Sequence, residues 1–234
     1  MAVKEQNGGA PWWQWSEKQA RYFNCVKDIF SYEESAAFWK FVQYIFFKQW
    51  FEIKKYANEK GIAVIGDMPF YVAMDSVDVW ADLPLFEIDE KTLTAKKVAG
   101  VPPDYFSENG QLWGNPIYNW EIMKKDGYKW WLSRLGAALK TYDIVRIDHF
   151  RAFASYWEVP ADSETAKTGE WIKGPGMDLF KKVFEKFPDA PVIAEDLGVF
   201  GEDVTQLLKD TGFPGMKVVQ LSLIHISEPT RHSL

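Results

Sequence analysis

Residues 142–151 read YDIVRIDHFR and combine the two features on which the predicted architecture rests. The short apolar run, rich in β-branched residues, predicts a buried strand, and Asp148 stands at its end. Two similar runs also end in carboxylates, at Asp67 and Glu195, whereas a fourth run has no acid at its end. The four predicted strands lie in residues 62–65, 142–151, 191–198 and 215–221.

Helical patterns lie between these runs. From Ser31 the chain reads as a helix with Glu33 and Glu34 in its first turn and Gly61 in the C′ position that follows a helix. Its apolar residues recur at helical spacing: Ala37, Phe38, Phe41, Val42 and Ile45. Further helices are predicted in residues 127–142, 176–190 and 202–212. Strands that alternate with helices are typical of a parallel sheet with crossover helices, so we expect one α/β domain.

The composition excludes several classes of protein. Hydrophobic residues make up 47% of the 234 positions and aromatic residues 17%, which is too apolar for a disordered chain. A net charge of −6 argues against nucleic acid as a partner and favours a neutral ligand. Cys25 is the single cysteine, and together with His149, His225 and His232 it is too little for a metal cluster, so no metal or cofactor is expected. The chain has neither a signal-peptide pattern nor a membrane-spanning run, so we expect a cytoplasmic protein with no membrane partner.

Three of the predicted strands end in carboxylates that are expected at the same edge of the sheet. The carboxyl ends of parallel strands meet at one edge of a sheet, so Asp67, Asp148 and Glu195 should lie close together. Retaining glycosidases and transglycosylases need two carboxyl groups about 5 Å apart, one acting as nucleophile and the other first as acid and then as base. The sequence is therefore compatible with retaining chemistry at a sugar.

Arg146 precedes Asp148 by two residues, so the two side chains point to the same side of a strand. The guanidinium would favour the ionised form of Asp148, as a nucleophile requires, and the negative Asp148 would oppose ionisation of Glu195, as an acid requires. The alternative is that Arg146 and Asp148 form a structural ion pair and that Glu195 caps the following helix. Spacing does not decide between these interpretations.

The long segment Tyr71–Gly127 lacks lasting periodicity and is expected to be a functional loop. Its part Gly100–Trp120 interleaves aromatic rings with carboxylates and amides, a mixture that suits the apolar faces and hydroxyl rim of a sugar. These residues are Tyr105, Phe106, Trp113, Tyr118 and Trp120, with Asp104, Asn109, Gln111 and Asn115. The alternative is an aromatic loop packed into the core, which would explain about half of the rings and explains the amides less well.

Four stretches, in chain order, resemble the amylomaltase or disproportionating-enzyme family, the 4-α-glucanotransferases. They are GDMPFYVAMDSVDVWAD, VAGVPPDYFSENGQLWGNPIYNW, YDIVRIDHFRAF and PVIAEDLG. The resemblance extends over residues 31–220 and implies the (β/α)₈ barrel of α-amylases. It also implies that maltooligosaccharides and other α-1,4-glucans are the substrates.

The resemblance assigns roles to individual residues. Asp148 corresponds to the family's nucleophile, in an Arg-x-Asp context with Arg146, and Glu195 to its general acid/base. Asp67 corresponds to a residue lining the donor sugar site, and His149 either donates to the bound sugar or has a structural role. The residues that resemble those holding the glucan next to the cleaved bond are Asp104, Tyr105, Phe106, Gln111, Trp113 and Asn115. The implied reaction is a double displacement through a covalent glucosyl-enzyme.

The chain also departs from the family. A (β/α)₈ barrel needs eight strands, and only about four can be counted here, so we expect an incomplete barrel. A third catalytic carboxylate cannot be assigned, since Asp67 and Asp196 lie nearby but not in its context. We therefore divide the chain into an unassigned segment, 1–30, a partial barrel, 31–221, and a tail, 222–234.

Two interpretations of the tail and three of the function remain open from the sequence. The tail's SLIHISEPTRHS resembles translated sequencing-adapter DNA, which suggests an artefact of a truncated gene; a natural disordered tail is the alternative. The leading function is an α-1,4-glucan transferase, and the alternatives are an α-amylase-type hydrolase and a non-catalytic glucan-binding protein. Because half a barrel exposes its inner faces, we expect this polypeptide alone to be inactive.

Overall fold

A computed structural model describes residues 1–22, 33–104, 107–196 and 201–217 of the chain. Its α-helices are Ala2–Gln6 (α1), Glu17–Ala20 (α2), Glu33–Glu59 (α3), Val77–Ala81 (α4), Trp120–Lys125 (α5), Lys129–Thr141 (α6), Met177–Lys186 (α7) and Glu202–Thr211 (α8). Its strands are Ile65–Met68 (β1), Ile88–Asp89 (β2), Thr94–Ala95 (β3), Lys97–Val101 (β4), Gln111–Pro116 (β5), Ile144–Ile147 (β6), Ser155–Pro160 (β7), Glu170–Lys173 (β8) and Val192–Ala194 (β9). Short 3₁₀ helices cover Trp12–Gln14, Leu83–Leu85 and Phe150–Phe153.

The centre of the fold is a three-stranded parallel sheet in the order β1–β6–β9. Helix α6 lies between β1 and β6 in the chain, and α7 lies between β6 and β9, which confirms the predicted alternation of strands and helices. The prediction of a fourth strand falls mostly outside the described residues, and residues 215–217 are not in a strand.

The two faces of this sheet differ, as the two-residue period of a strand requires. Met68 and Ile147 point to the buried face, whereas Asp67 and Arg146 alternate with them and point to the open face. Ile65 also lies on the open face and is 56% exposed. The open face therefore carries the charged groups of the candidate site.

The first strand begins later than the sequence predicts. Helix α3 ends in a Schellman turn at Gly61, whose φ is 75°, with the Ile62 N–H donating to the Ala57 carbonyl oxygen at 3.0 Å. The next residues lead out of this turn, and pairing with β6 starts at Ile65. The predicted strand 62–65 was therefore placed too early, and Asp67 lies inside β1 rather than after it.

The segment Tyr71–Gly127 is not the irregular loop that the sequence predicts. It contains β2 to β5, α4 and α5, and two of these strands join β7 and β8 in an antiparallel sheet of order β5–β4–β7–β8. The prediction was wrong because the register shifts between Val98 and Gly100 and because β5 exposes four residues in a row, so neither strand shows regular alternation.

The residue Phe70, shortly after β1, is part of an aromatic core. Phe70 follows β1, and its ring centroid is at most 5.5 Å from those of Tyr118, Trp131 and Phe153. The residues after β1 are therefore held by ring packing on the core.

Helix α3 confirms the predicted helix, and the apolar residues that recur along it are not buried. None of its residues is buried in the described structure, and Phe38, Phe41 and Val42 are exposed. Its contacts to the sheet region include the Trp50 indole, which donates to the Thr141 carbonyl oxygen at 2.9 Å and lies 5.8 Å from the Tyr142 ring, and Lys54, which pairs with Asp143 at 3.2 Å. No helix among the described residues is long and apolar enough to cross a bilayer.

Candidate active site

Arg146 links the carboxylates of two neighbouring strands. In the parallel register Arg146 stands opposite Asp67, and its Nη1 lies 2.5 Å from Asp67 Oδ1. Its Nη2 lies 2.8 Å from Oδ1 of Asp148, the residue that directly follows the end of the same strand. Sequence spacing predicted the contact with Asp148, and the sheet register adds the contact with Asp67.

The two carboxylates around Arg146 stabilise its positive charge. Partial burial acts to lower the pKa of Arg146, but the hydrogen bond that Arg146 donates to Asp67 and the charges of Asp67 and Asp148 outweigh it, so the pKa of the guanidinium is raised above its usual range. The guanidinium therefore stays charged, and the carboxylate side chain of Asp148 is still 42% exposed. An ion pair is present, as the structural interpretation requires, but it leaves Asp148 accessible to a ligand.

Glu195 is connected to the neighbourhood of Asp148 by backbone hydrogen bonds. The N–H of His149, the residue after Asp148, donates to Glu195 Oε2 at 2.9 Å. The Glu195 N–H in turn donates to the Ile147 carbonyl oxygen at 2.9 Å, which continues the pairing of β6 with β9. The alternative that Glu195 caps the following helix does not hold for α8, whose N-cap is Gly201 without a side-chain hydrogen bond.

His149 has an unusual backbone conformation and a buried ring. Its φ of 51° and ψ of 44° lie in the left-handed region, which is uncommon outside glycine and costs on the order of 1 kcal/mol. Its imidazole lies 4.8 Å from the Trp113 ring and 6.4 Å from the Tyr71 ring. Burial, with a smaller contribution from the positive charge of Arg151, lowers the pKa of His149 to about 4. The ring is therefore neutral near pH 7.

The segment 100–120 contributes the ring of Trp113 to the surroundings of His149. Trp113 on β5 is 37% exposed and donates from its indole to the Gln111 side-chain oxygen at 3.1 Å. Because Trp113 packs against His149, the segment 100–120 reaches the residue that follows Asp148 and donates its N–H to Glu195.

Other residues of the segment have local or structural contacts. The Asn115 amide donates to the Val72 carbonyl oxygen at 2.9 Å, and Asp104 accepts from the Ser107 N–H at 2.8 Å within its own turn. Tyr118 is buried with its hydroxyl on the Phe70 carbonyl oxygen at 2.6 Å. For this ring the core-packed alternative was right, because a backbone carbonyl in the core satisfies its hydroxyl. Tyr105 and Phe106 lie outside the described residues.

The sequence did not single out Met216, which completes the surroundings of Arg146. Its Sδ lies 3.2 Å from Arg146 Nε, and its N–H donates to Asp196 Oδ1 at 2.8 Å. Nothing in the residue type of a methionine signals such a contact, since it depends on the return of the chain to the sheet after α8. Across the described ranges no three His, Cys, Asp or Glu side chains are grouped as metal ligands would be.

Comparison with known proteins shows the family of this chain. A sequence model of the 4-alpha-glucanotransferase family matches residues 1–232. The 4-alpha-glucanotransferase of Streptococcus pneumoniae serotype 4 is 51% identical over 95% of this chain and 44% of its own length, and that of Clostridium butyricum is 47% identical over 95% and 46%. The chain thus spans about half the length of the curated relatives it matches.

A solved structure is similar over nearly the whole chain. Amylomaltase from Streptococcus agalactiae, in complex with acarbose, superposes with a TM-score of 0.91 and 43% identity, over 98% of this chain and 47% of that one.

Proposed function

Because this chain belongs to the 4-alpha-glucanotransferase family, we propose that it forms part of an enzyme that transfers α-1,4-glucan segments to acceptor glucans or glucose. The observation that carries the proposal is the placement of two acids at the ends of adjacent parallel strands: Asp148, held by Arg146, and Glu195, held by the His149 N–H. Two carboxyl groups on neighbouring strand ends suit a retaining mechanism at an anomeric carbon.

Asp148 is the nucleophile of this mechanism. Its Oδ1 is occupied by Arg146, so the other carboxylate oxygen attacks the anomeric carbon while Glu195 protonates the departing glycosidic oxygen. The glycosidic bond breaks, and a covalent glucosyl-enzyme forms on Asp148. Glu195 then takes the proton of an acceptor 4-hydroxyl, which attacks the same carbon and releases Asp148, so an α-1,4 bond is restored.

His149 and Trp113 shape the space next to the two acids. A neutral imidazole exchanges hydrogen bonds with a sugar hydroxyl without adding a positive charge beside Glu195. The partly exposed Trp113 ring offers an apolar face to a pyranose. Asp67, Asp104, Gln111 and Asn115 contribute polar groups to the same glucan site, and Tyr105 and Phe106 further rings.

The rest of the enzyme supplies what this chain lacks. We infer a (β/α)₈ barrel of which β1, β6 and β9 are three strands, with a third catalytic carboxylate outside this chain. The division into residues 1–30, 31–221 and 222–234, with the last as an artefact, stays a prediction. So does a cytoplasmic location, which the single Cys25 favours over an oxidising compartment.

The experiment compares Asp148→Asn and Glu195→Gln with the wild type in the complete enzyme. Incubated with maltotriose, the wild type should give glucose plus longer oligomers, and each variant should be slower by about 10³-fold or more. Asp189→Asn, which alters an exposed carboxylate in the loop after α7, is the control and should keep full activity. Mainly shorter products would point instead to a hydrolase, and unchanged turnover in Asp148→Asn would contradict the assigned nucleophile.

A further inference from the structure

The guanidinium of Arg146 has three nitrogen atoms that donate hydrogen bonds, and each contacts a different acceptor. Nη1 binds Asp67, Nη2 binds Asp148, and Nε binds the thioether sulfur of Met216 at 3.2 Å. The side chain of Arg146 is 23% exposed, so an Nε–H without an acceptor would be costly. Sulfur is a weak and neutral acceptor, which makes this contact different in kind from the other two.

Met216 is itself held in position by the residue after Glu195. Its N–H donates to Asp196 Oδ1 at 2.8 Å, and the Ala194 N–H donates to the Pro214 carbonyl oxygen at 2.9 Å. Between these two bonds Gly215 lies so close to the Asp196 carboxylate that a Cβ there would collide with it. The segment that carries Met216 is therefore fastened to the end of β9.

We propose that Met216, held by Asp196, is a positioning residue for the nucleophile. Its sulfur satisfies Nε and fixes the plane of the guanidinium, so that Nη1 and Nη2 face Asp67 and Asp148. A third carboxylate in place of the sulfur would compete for the charge of Arg146, and an aliphatic side chain would leave Nε–H unsatisfied. This inference rests on the proposed function, because the residue acts through Arg146 on Asp148.

The test uses Met216→Leu and Met216→Gln in the complete enzyme. With maltotriose, Met216→Leu should lower kcat by about 10-fold while KM changes by less than about 2-fold, since the contact positions the nucleophile rather than the sugar. The acidic limb of its pH–rate profile should move to higher pH, because the ionised nucleophile loses part of its support. Met216→Gln offers an amide oxygen to the same Nε–H and should restore most of kcat.

Three controls separate positioning from packing. Met177→Leu makes the same exchange at the start of α7 and should leave kcat and the pH profile unchanged. Asp196→Ala should reproduce the effects of Met216→Leu, and Asp196→Asn, which keeps an acceptor oxygen, should be milder. Melting temperatures are measured for every variant.

The outcomes are distinct. Wild-type kcat and pH profile in Met216→Leu would overturn the positioning role, and so would failure of the glutamine variant to recover kcat when it folds as well as the leucine variant. If the wild-type enzyme itself transfers no glucan, the proposed function fails instead.

Discussion

The Arg146 side chain joins strands β1 and β6 by binding the carboxylates of Asp67 and Asp148. Its planar fork reaches Asp67 and Asp148 at the same time, which a lysine ammonium on a flexible stem cannot do with fixed geometry. In the complete enzyme, Arg146→Lys should therefore reduce kcat by roughly 10²-fold although the charge is kept. Initial rates of maltotriose disproportionation measure this.

The control for that substitution is Arg134→Lys. Arg134 on α6 donates to the Pro69 carbonyl oxygen at 2.7 Å, and its guanidinium lies over the rings of Trp130 and Trp131. Its replacement should lower stability more than turnover. Equal losses of kcat in the two variants would show that the loss comes from weakened packing and not from the bridge between the acids.

The neutral ring of His149 predicts a dependence of stability on pH. The pKa is about 4 in the folded protein and about 6.5 in an unfolded chain. Between these values the unfolded chain binds a proton here that the folded protein does not, so the free energy of unfolding falls as pH drops from 6.5 towards 4. His149→Gln should lose less stability across that window. Urea denaturation at pH 7 and pH 4.5 measures the difference, and equal losses in both proteins would contradict it.

The end of α3 and the start of β1 each depend on a glycine, for different reasons. Gly61 has a φ of 75° with open space around it, so Gly61→Ala should cost about 1 kcal/mol through backbone strain alone. At Gly66 a Cβ would run into the ring of Tyr142, which α3 covers through Trp50, so Gly66→Ala should cost about 1–3 kcal/mol or more. Urea denaturation gives both values, and a smaller cost at Gly66 than at Gly61 would contradict the close approach of α3, Tyr142 and β1.

Several large apolar side chains of α3 and of the parallel sheet are exposed to solvent. Phe38, Phe41, Tyr44 and Phe46 on α3 are each more than half exposed, and Ile65 is exposed on the open face of the sheet. Exposed patches of this kind promote association. We predict that the 234-residue polypeptide alone is inactive, associates at micromolar concentration and binds an apolar dye. The complete enzyme should do none of these.

Light scattering and dye fluorescence on both proteins measure this prediction. Replacing Phe41 and Tyr44 with serine in the short polypeptide should reduce dye binding, and replacing Lys55 and Glu59, an exposed ion pair on the same helix, should not. A monomeric short polypeptide with maltotriose-disproportionating activity would contradict the prediction.

Local signals in the amino-acid sequence were enough for helices α3, α6, α7 and α8, for strands β6 and β9, and for Asp148 and Glu195 at the ends of those strands. Strand β1 was expected too early in the chain, and Asp67 lies inside it. The capping of α3 at Gly61, the period of β6 and the Arg146–Asp148 spacing depend on neighbours within a few residues, so they can be recognised from short stretches. The family resemblance likewise rested on contiguous motifs, and it led to the same family that the comparisons show.

Contacts between distant parts of the chain required the folded structure. The antiparallel sheet, the Asp67–Arg146 register, the burial of Tyr118 and the contact of Met216 with Arg146 join residues that are far apart in the chain, and each depends on how the elements pack. Residue type and periodicity do not indicate which distant residues come into contact. The same side chain can be stable in the core or at a site, and the hydrogen-bond partner available to its polar atom in the folded structure decides between the two.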